Sequence, residues 1–175
     1  MNSKGTYLRV KHEFPPFYSS DSTILILGSF PSVKSRKQQF YYGHPQNRFW
    51  KVLAAVKKDA VPESLEEKKQ FLLRYKIALW DVIEECDILG SRDSSIRNVV
   101  PTKLDHVLGK APIDFIYVNG GTAKRLYDRY QKNEVKKDGI LLPSTSPANA
   151  AWTLDRLIQA WSGINDTNER KDEAQ

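Results

Sequence analysis

Four short stretches of the chain combine small residues with polar side chains, and each directly follows an apolar, strand-like run. They are Gly-Ser-Phe-Pro-Ser at 28–32, Asp81, Asn-Gly-Gly at 119–121, and Pro-Ser-Thr-Ser-Pro-Ala-Asn at 143–149. Glycine lets a ligand approach the backbone closely, and free amides at a helix start bind phosphate. The same residue types also build ordinary tight turns. One stretch alone therefore indicates a turn, whereas for all four together a ligand site and ordinary turns both remain open.

Residues 31–51 contain five basic side chains and no acidic one, interleaved with aromatic residues. Cations for phosphates beside aromatic faces for bases are typical of a nucleic-acid surface. The alternative is a solvated loop that leads into an aromatic core helix. The basic residues are Lys34, Arg36, Lys37, Arg48 and Lys51, and the aromatic ones are Phe40, Tyr41, Tyr42, Phe49 and Trp50.

Several other kinds of site are excluded by their missing patterns. Residues 28–32 lack the central serine of a nucleophile elbow and the Gly-Lys-Ser/Thr of a phosphate-binding loop. The three histidines have no partners at metal-ligand spacing, and the single cysteine, Cys86, excludes an intramolecular disulfide. We therefore predict no metal and no cofactor.

The elements that must position these stretches are four apolar strands separated by helices. The strands are predicted at Thr23–Leu27, Ile77–Ile83, Asp114–Val118 and Gly139–Leu142. This alternation predicts an α/β fold, a three-layer sandwich with a central four-stranded parallel sheet flanked by helices. Ligands bind beyond the carboxyl ends of the strands in such sheets, where all four polar stretches begin.

Helical spacing and capping residues predict the intervening helices. A Ser64-x-x-Glu67 capping box opens a helix that runs to about Tyr75. The last helix is predicted to start at Ser146, with Pro147 in its first turn, and to end near Trp161. The first twenty residues are predicted to be irregular. Further helices are expected at residues 48–56, 103–108 and 122–130.

Length and charge set the remaining expectations. The 175 residues fit one domain, predicted at 1–164, followed by a polar, flexible tail at 165–175. A net charge of +6 is compatible with a polyanionic partner. No apolar run approaches the length of a membrane helix and no secretory signal is visible. We expect a cytoplasmic monomer that does not contact membranes.

Three strings together resemble the uracil-DNA glycosylase superfamily, and most closely its hypoxanthine-DNA (deoxyinosine) glycosylase branch. They are residues 28–32, Phe-Tyr-Tyr-Gly-His-Pro-Gln-Asn-Arg-Phe-Trp at 40–50, and residues 143–149. The resemblance spans about Thr23 to Trp161 and implies the same sandwich fold. It implies hydrolysis of the N-glycosidic bond of a deaminated base flipped out of DNA, hypoxanthine before uracil.

Three alternatives remain open at the level of sequence. The chain is also similar to the mismatch-specific uracil/thymine-DNA glycosylases. A small-molecule nucleoside or nucleotide hydrolase would use the same serine-rich loops but not the basic, aromatic stretch. A DNA-damage binding protein without activity would keep that stretch and lose catalysis.

The first string departs from the superfamily at the position that holds the attacking water. Mismatch-specific members carry an asparagine there and other branches an aspartate, whereas this chain has Phe30. The resemblance to the hypoxanthine branch assigns catalysis to Asn47, which would position the water. Asn47 also precedes a predicted helix and could simply cap it. Asp81 is a reserve candidate for activating water.

The resemblance assigns the remaining contacts by position. A side-chain amide at Asn119 offers a donor beside an acceptor, which matches the carbonyl and ring N–H of hypoxanthine or uracil. Alternatively, Asn119 is a turn residue. The expected substrate-binding residues are Gly28, Ser29, Phe30, Phe40, Tyr42 and Asn119. The expected DNA-binding residues are Ser32, Arg36, Arg48, Ser144, Thr145, Ser146, Pro147, Ala148 and Asn149.

Overall fold

The computed structural model describes residues 5–165. The strands are β1 Leu8–Lys11, β2 Ile24–Gly28, β3 Ile77–Asp81, β4 Ile83–Ile88, β5 Arg97–Pro101, β6 Phe115–Asn119 and β7 Gly139–Leu142. The helices are α1 Val33–Gln38, α2 Phe49–Lys57, α3 Leu65–Arg74, α4 Asp105–Leu108, α5 Gly121–Tyr130, α6 Lys132–Val135 and α7 Leu154–Trp161, with a 3-10 turn at Asp93–Ser95. All of the predicted tail except Asn165 lies outside the described residues.

The central sheet confirms the predicted fold class. Its four strands are parallel, in the order β3-β2-β6-β7, and helices flank it. Strands β2 and β3 are buried along their whole length, which explains their unbroken apolar sequences. The register pairs Gly28 with Asp81, so the last residues of these strands lie side by side.

Helix boundaries follow local signals in most places. The predicted capping box is present: Ser64 Oγ accepts from the Glu67 amide, and the Glu67 carboxylate accepts from the Ser64 amide. Helix α2 buries one apolar face, including Phe49 and Leu53, and packs against α7. This packing fixes the residues just before α2 against the loop just before α7.

The predicted irregular start was wrong in part, because a second sheet lies there. Strands β1, β4 and β5 form an antiparallel sheet in the order β1-β4-β5. The single strand predicted at Ile77–Ile83 ends at Asp81, and Ile83 begins β4 of this second sheet. Strand β1 is mostly exposed and β4 pairs with β5 through irregular register, so neither shows the period-two apolar pattern that identifies a strand.

The predicted start of the last helix was also wrong. Residues 146–152 form turns, and α7 begins at Leu154 with Thr153 as its cap. The Thr153 hydroxyl accepts from the Arg156 amide, as an N-cap should. Ser146 and Pro147 thus belong to a loop seven or eight residues longer than the sequence indicated. No helix within residues 5–165 is long and apolar enough to span a membrane.

Candidate active site

Residues from all four polar stretches line one cavity at the carboxyl ends of the parallel strands. Its volume is about 110 Å³, well below the roughly 300–1,000 Å³ of pockets for drug-sized ligands. A cavity of this size suits one small planar group. The lining residues are Gly28, Ser29, Phe30, Pro31, Ser32, Ser35, Tyr41, Tyr42, His44, Asn47, Asp81, Ser91, Asp93, Asn119, Ser144, Thr145 and Ser146.

Two asparagines and a threonine form a continuous hydrogen-bond network on one side of the cavity. Thr145 is fully buried, and its hydroxyl accepts from Asn119 Nδ2 at 3.0 Å while it donates to Asn47 Oδ1 at 2.9 Å. The Thr145 amide donates to Asn119 Oδ1 at 3.1 Å. Thr145 therefore fixes both amides, and its hydroxyl is not free for the DNA contact that the sequence indicated.

Asn47 lines the cavity, and its side-chain amide has a fixed orientation. Its Oδ1 accepts from the Phe49 backbone amide at 3.0 Å and from the Thr145 hydroxyl. A backbone N–H can only donate, so this contact fixes which end of the side chain is the oxygen. Both acceptor sites of Oδ1 are thereby used, and Nδ2 makes no hydrogen bond with any described residue. The N-cap of α2 is Arg48, so Asn47 is not the helix cap, although its oxygen holds the first amide of the helix and its nitrogen is left available.

Tyr42 supplies an aromatic wall. Its ring stacks on Phe49 with centroids 3.8 Å apart and planes 14° from parallel, and its backbone is left-handed at φ 53°. A non-glycine residue in that region carries conformational strain, which the stacking and the cavity contacts must offset. Asn119 Nδ2 donates to the Tyr42 hydroxyl over a long 3.4 Å. Burial, with the charge of Asp81 as a lesser cause, raises the pKa of Tyr42 and keeps its hydroxyl protonated.

The two phenylalanines expected at the site lie in different places. Phe30 lines the cavity, with the Arg36 guanidinium 5.7 Å from its ring centroid. Phe40 is buried in the core against Trp50 and does not belong to the cavity lining. The expectation that Phe40 stacks on a bound group does not fit this placement, because the core covers its ring.

Two carboxylates of the described chain line the opposite side of the cavity. Asp81 is 4% exposed and its Oδ2 lies 2.7 Å from His12 Nε2. Asp93 comes from the 3-10 turn, and its Oδ1 accepts from the Ser29 hydroxyl at 2.9 Å. The protein around Asp93 displaces water and raises the pKa of its carboxyl, an effect that the Ser29 hydrogen bond opposes.

The serine- and proline-rich loop, residues 143–152, is held in place by Arg48. The guanidinium donates to the carbonyls of Ser146 at 3.0 Å, Asn149 at 3.1 Å and Trp152. The Arg48 backbone amide donates to the Thr145 carbonyl at 3.0 Å. Arg48 thus positions this loop with the group that the sequence assigned to DNA. These bonds also explain why no helix starts at Ser146, since they use carbonyls in non-helical geometry.

The other expected DNA contacts surround the mouth of the cavity. Ser32 caps α1 and lines both the cavity and an adjoining groove. Pro147 and Ala148 form the exposed tip of the loop along that groove. Arg36 is half-buried and donates to the Gly90 carbonyl at 3.3 Å. Within the loop, Ser144 Oγ accepts from the Ser146 amide, Ser146 Oγ from the Ala148 amide, and the Ser144 carbonyl from Asn149 Nδ2.

Three residues of the site were missed by the sequence analysis. Asp93 lies in a segment for which the sequence predicted no element and no role, and His12 lies in the segment predicted to be irregular. His44 was quoted in the second string without a role, and its Nδ1 accepts from the Gln46 amide at 3.1 Å. Since Nδ1 accepts, Nε2 carries the proton and can donate. The remaining titratable groups do not form a metal site: within residues 5–165, no three His, Cys, Asp or Glu side chains cluster to hold an ion.

Comparison with known proteins identifies the family of the chain. The model of the uracil DNA glycosylase superfamily matches residues 15–165. A hypoxanthine DNA glycosylase of Methanosarcina acetivorans is 32% identical over 157 residues, covering 89% of this chain and 98% of the relative. One from Methanosarcina barkeri is 33% identical over 112 residues, covering 63% and 71%.

A solved structure agrees with these relatives. It is the solution NMR structure of a Methanosarcina acetivorans protein assigned as a uracil DNA glycosylase. This chain superimposes on it with a TM-score of 0.74 and 30% sequence identity, over 86% of this chain and 93% of that one. The family model covers most of the chain, including every strand of the parallel sheet and the whole cavity. The chain therefore belongs to the uracil DNA glycosylase superfamily.

Proposed function

We propose that this protein is a monofunctional DNA glycosylase that removes hypoxanthine from deoxyinosine in DNA, acting as a monomer. One observation carries the proposal: the cavity is small, has an aromatic wall at Tyr42, and is edged by the fixed amide of Asn119. It accommodates a base and leaves the sugar and phosphates outside. The family and the hypoxanthine DNA glycosylases among its relatives support this reading.

Asn119 is the residue that we propose reads the base. Thr145 fixes its orientation, with Oδ1 accepting from the Thr145 amide and retaining a second acceptor site. One N–H of Nδ2 is used by Thr145, and the other makes only the long contact to Tyr42, which a bound base can replace. Hypoxanthine offers a carbonyl oxygen beside a ring N–H, which satisfies both groups. Adenine offers an amino group beside a bare nitrogen and would leave them unpaired.

Asn47 is the residue that we propose acts on the reacting atoms. Its free Nδ2 donates to the oxygen of the attacking water and so places the water against the sugar. Its oxygen is already used twice, so Asn47 positions water and does not take a proton from it. The network through Thr145 holds this donor without reorganisation during the reaction, which is the arrangement that stabilises transition states most effectively.

The rim of the cavity would hold the DNA. The exposed loop tip at Pro147 and Ala148 is placed to fill the gap that a flipped base leaves. Ser32 at the start of α1 and the hydroxyls of Ser144 and Ser146 lie where they could meet the backbone phosphates. Arg48 acts indirectly, since it holds the loop by three carbonyls.

Single-turnover excision tests this function. Duplexes carrying deoxyinosine, deoxyuridine or thymidine opposite each base are incubated with excess protein in EDTA and then cleaved with alkali. We expect cleavage at deoxyinosine, fastest of the three, and none at deoxyadenosine. Faster cleavage at uracil or thymine opposite guanine would move the protein to the mismatch-specific activity. Hydrolysis of free inosine with no excision from duplex would overturn the proposal in favour of a nucleoside hydrolase.

A binding measurement separates an enzyme from a damage-binding protein. The same duplexes are titrated in a mobility-shift assay while strand nicking after alkali is followed in parallel. Selective affinity for deoxyinosine DNA without any nicking would identify a binding protein and overturn the enzymatic proposal. Nicking that saturates with the binding curve supports it.

A further inference from the structure

A buried carboxylate at the floor of the cavity has one oxygen occupied and one oxygen without a partner. Asp81 ends β3, and the His12 imidazole lies 2.7 Å from its Oδ2. Its Oδ1 forms no hydrogen bond with any residue of the described chain. Because Asp81 lines the cavity, an oxygen without a protein partner can accept a hydrogen bond from a ligand or a water molecule there.

The contacts of His12 show that one proton is shared between the imidazole and the carboxylate. His12 Nδ1 lies 2.9 Å from the Phe14 carbonyl oxygen, which can only accept, so Nδ1 carries a proton. At 2.7 Å, Nε2 and Asp81 Oδ2 need a second proton between them, since two lone pairs would otherwise repel. His12 therefore occupies Oδ2 of Asp81, and Oδ1 remains as the free acceptor of this carboxylate.

Gly28 leaves room for that acceptor. A Cβ added at Gly28 would lie 2.6 Å from Asp81 Oδ1 and 3.2 Å from the Tyr42 hydroxyl. No side chain fits there without displacing the carboxylate. Oδ1 therefore lies over the backbone of Gly28, within the cavity and beside the aromatic wall at Tyr42.

The other groups at the site are less suited to taking a proton from water. Phe30 has no polar atom. Asn47 has no free acceptor and an amide is not basic. Asp93 accepts from the Ser29 hydroxyl and lies on a turn, whereas Asp81 ends a buried strand and has its free oxygen next to Gly28.

We propose that Asp81 is the catalytic base of the glycosylase reaction, an inference that rests on the proposed function. The water oxygen, held by Asn47, forms a bond to C1′ of the deoxyribose while the C1′–N9 bond breaks. The electron pair of that bond leaves with hypoxanthine, and the water proton goes to Asp81 Oδ1. That proton then passes through solvent to the departed base, which restores the carboxylate and balances the hydrolysis.

The test is Asp81→Asn, with Asp93→Asn as the matched control. An asparagine at position 81 keeps the shape and can donate from Nδ2 to His12 Nε2, so the buried contact persists while the basic oxygen is lost. Asp93→Asn makes the same change in the same cavity and keeps the bond from Ser29. The measurements are the single-turnover excision rate at saturating protein, the Kd for deoxyinosine duplex and the melting temperature.

The proposal expects Asp81→Asn to slow excision about 10²–10⁴-fold with Kd and melting temperature near wild type, while Asp93→Asn keeps most of the rate. A rate within threefold of wild type for Asp81→Asn would overturn the proposal and leave the function standing. A wild type that excises nothing would overturn the function and this inference together. Equal losses in both variants would also overturn the assignment, since a general effect of cavity charge would explain them.

A second variant covers the case in which Asp81→Asn does not fold. Gly28→Ala retains the Asp81 side chain, but its Cβ must displace Oδ1 from its position in the cavity. The expected result is a saturating rate at least about tenfold below wild type with cooperative melting retained. A folded Gly28→Ala protein with the wild-type saturating rate would contradict the proposal.

Discussion

One side of the cavity is formed by Asn47, Thr145 and Asn119, which are bonded to one another; we refer to it as the amide side. The other, the acid side, is formed by Asp81 and Asp93, each bonded through a single oxygen to His12 and Ser29. The amide side is a closed network in which one residue supports the next. The acid side consists of two independent contacts, each of which leaves the second carboxylate oxygen without a protein partner among the described residues. This difference fits the proposed roles, in which the amide side sets the geometry and Asp81, on the acid side, takes the proton.

Asn47→Ala tests the amide side directly. It removes the donor to the reacting water and leaves the Thr145 hydroxyl and the Phe49 amide without their acceptor. We expect the single-turnover excision rate to fall about 10²–10³-fold, as for loss of a preorganised donor. The rate at saturating protein and the Kd for deoxyinosine duplex are measured separately.

Asn47→Asp is the matched control for that variant. It keeps an acceptor for the Phe49 amide and Thr145, and therefore the local structure, but replaces the donor by an acceptor. Both variants should lose rate more than affinity. If either excised hypoxanthine as fast as wild type, the assignment of Asn47 to the reaction would be wrong.

Thr145→Val tests whether the two asparagines depend on each other. Valine matches threonine in shape but cannot bridge the amides, so Asn47 and Asn119 each lose a buried hydrogen bond. The cost is about 1–3 kcal/mol, which corresponds to a roughly 10–100-fold slower reaction if it is expressed in the transition state. Thr145→Ser restores the bridging hydroxyl and should recover most of the rate.

A double-mutant cycle of Thr145→Val with Asn47→Ala measures the coupling between these two residues. If Thr145 acts through Asn47, the Thr145→Val change should matter much less when Asn47 is already absent. Additive effects would show that Thr145 supports the site independently, and the amide side would then not be one network.

The two sides also differ in how far the sequence revealed them. Gly28, Asp81, Asn119 and Ser144 follow predicted strands, so the topology of a parallel sheet alone brought them to one cavity. Strands β2 and β3 could be predicted because every residue of each strand is buried, so their sequences are unbroken apolar runs. Strand-end positions of this kind require no knowledge of side-chain packing.

Residues brought by irregular segments were not predictable in this way. His12 follows β1, whose partner β4 lies more than seventy residues away and whose own side chains are largely exposed. The Arg48 side chain is held by hydrogen bonds to three backbone carbonyls that lie about a hundred residues further along the chain. Such contacts form only in the folded protein, so they cannot be predicted from a local sequence pattern or from composition.

Arg48→Lys separates loop positioning from chemistry. Lysine keeps the charge but cannot direct a planar fork of donors at the Ser146, Asn149 and Trp152 carbonyls. We expect the Kd for duplex to rise about tenfold, because the loop tip loses its fixed position, while the saturating rate changes less. A salt titration supplies the check: direct phosphate binding by Arg48 predicts little change for lysine, since the charge is retained.

Asp93→Asn tests the acid side through stability and should give the smallest effect. The surrounding protein raises the pKa of Asp93, so the folded state holds its proton more tightly than the unfolded state does. The carboxylate of Asp93 therefore lowers the free energy of unfolding when it is charged. The loss begins as pH rises past the ordinary carboxyl pKa and is complete above the raised pKa of the folded protein. Removing the charge should raise the melting temperature by about 1–2 °C at pH 7.5, a small change because the turn is exposed to solvent.

The gain from Asp93→Asn should shrink as pH falls through the raised pKa, and should vanish only below the ordinary carboxyl pKa, where the wild-type carboxyl is protonated in both states. Asp87→Asn in the second sheet provides a control of opposite sign. The hydrogen bond from Asn98, with a lesser contribution from Arg9, lowers the pKa of Asp87, so its charge stabilises the fold at neutral pH. Scanning calorimetry of both variants from pH 4 to 7.5 makes the comparison. If Asp93→Asn melted below wild type at pH 7.5, the carboxylate would be stabilising its turn, and the acid side would have a structural role that the geometry does not indicate.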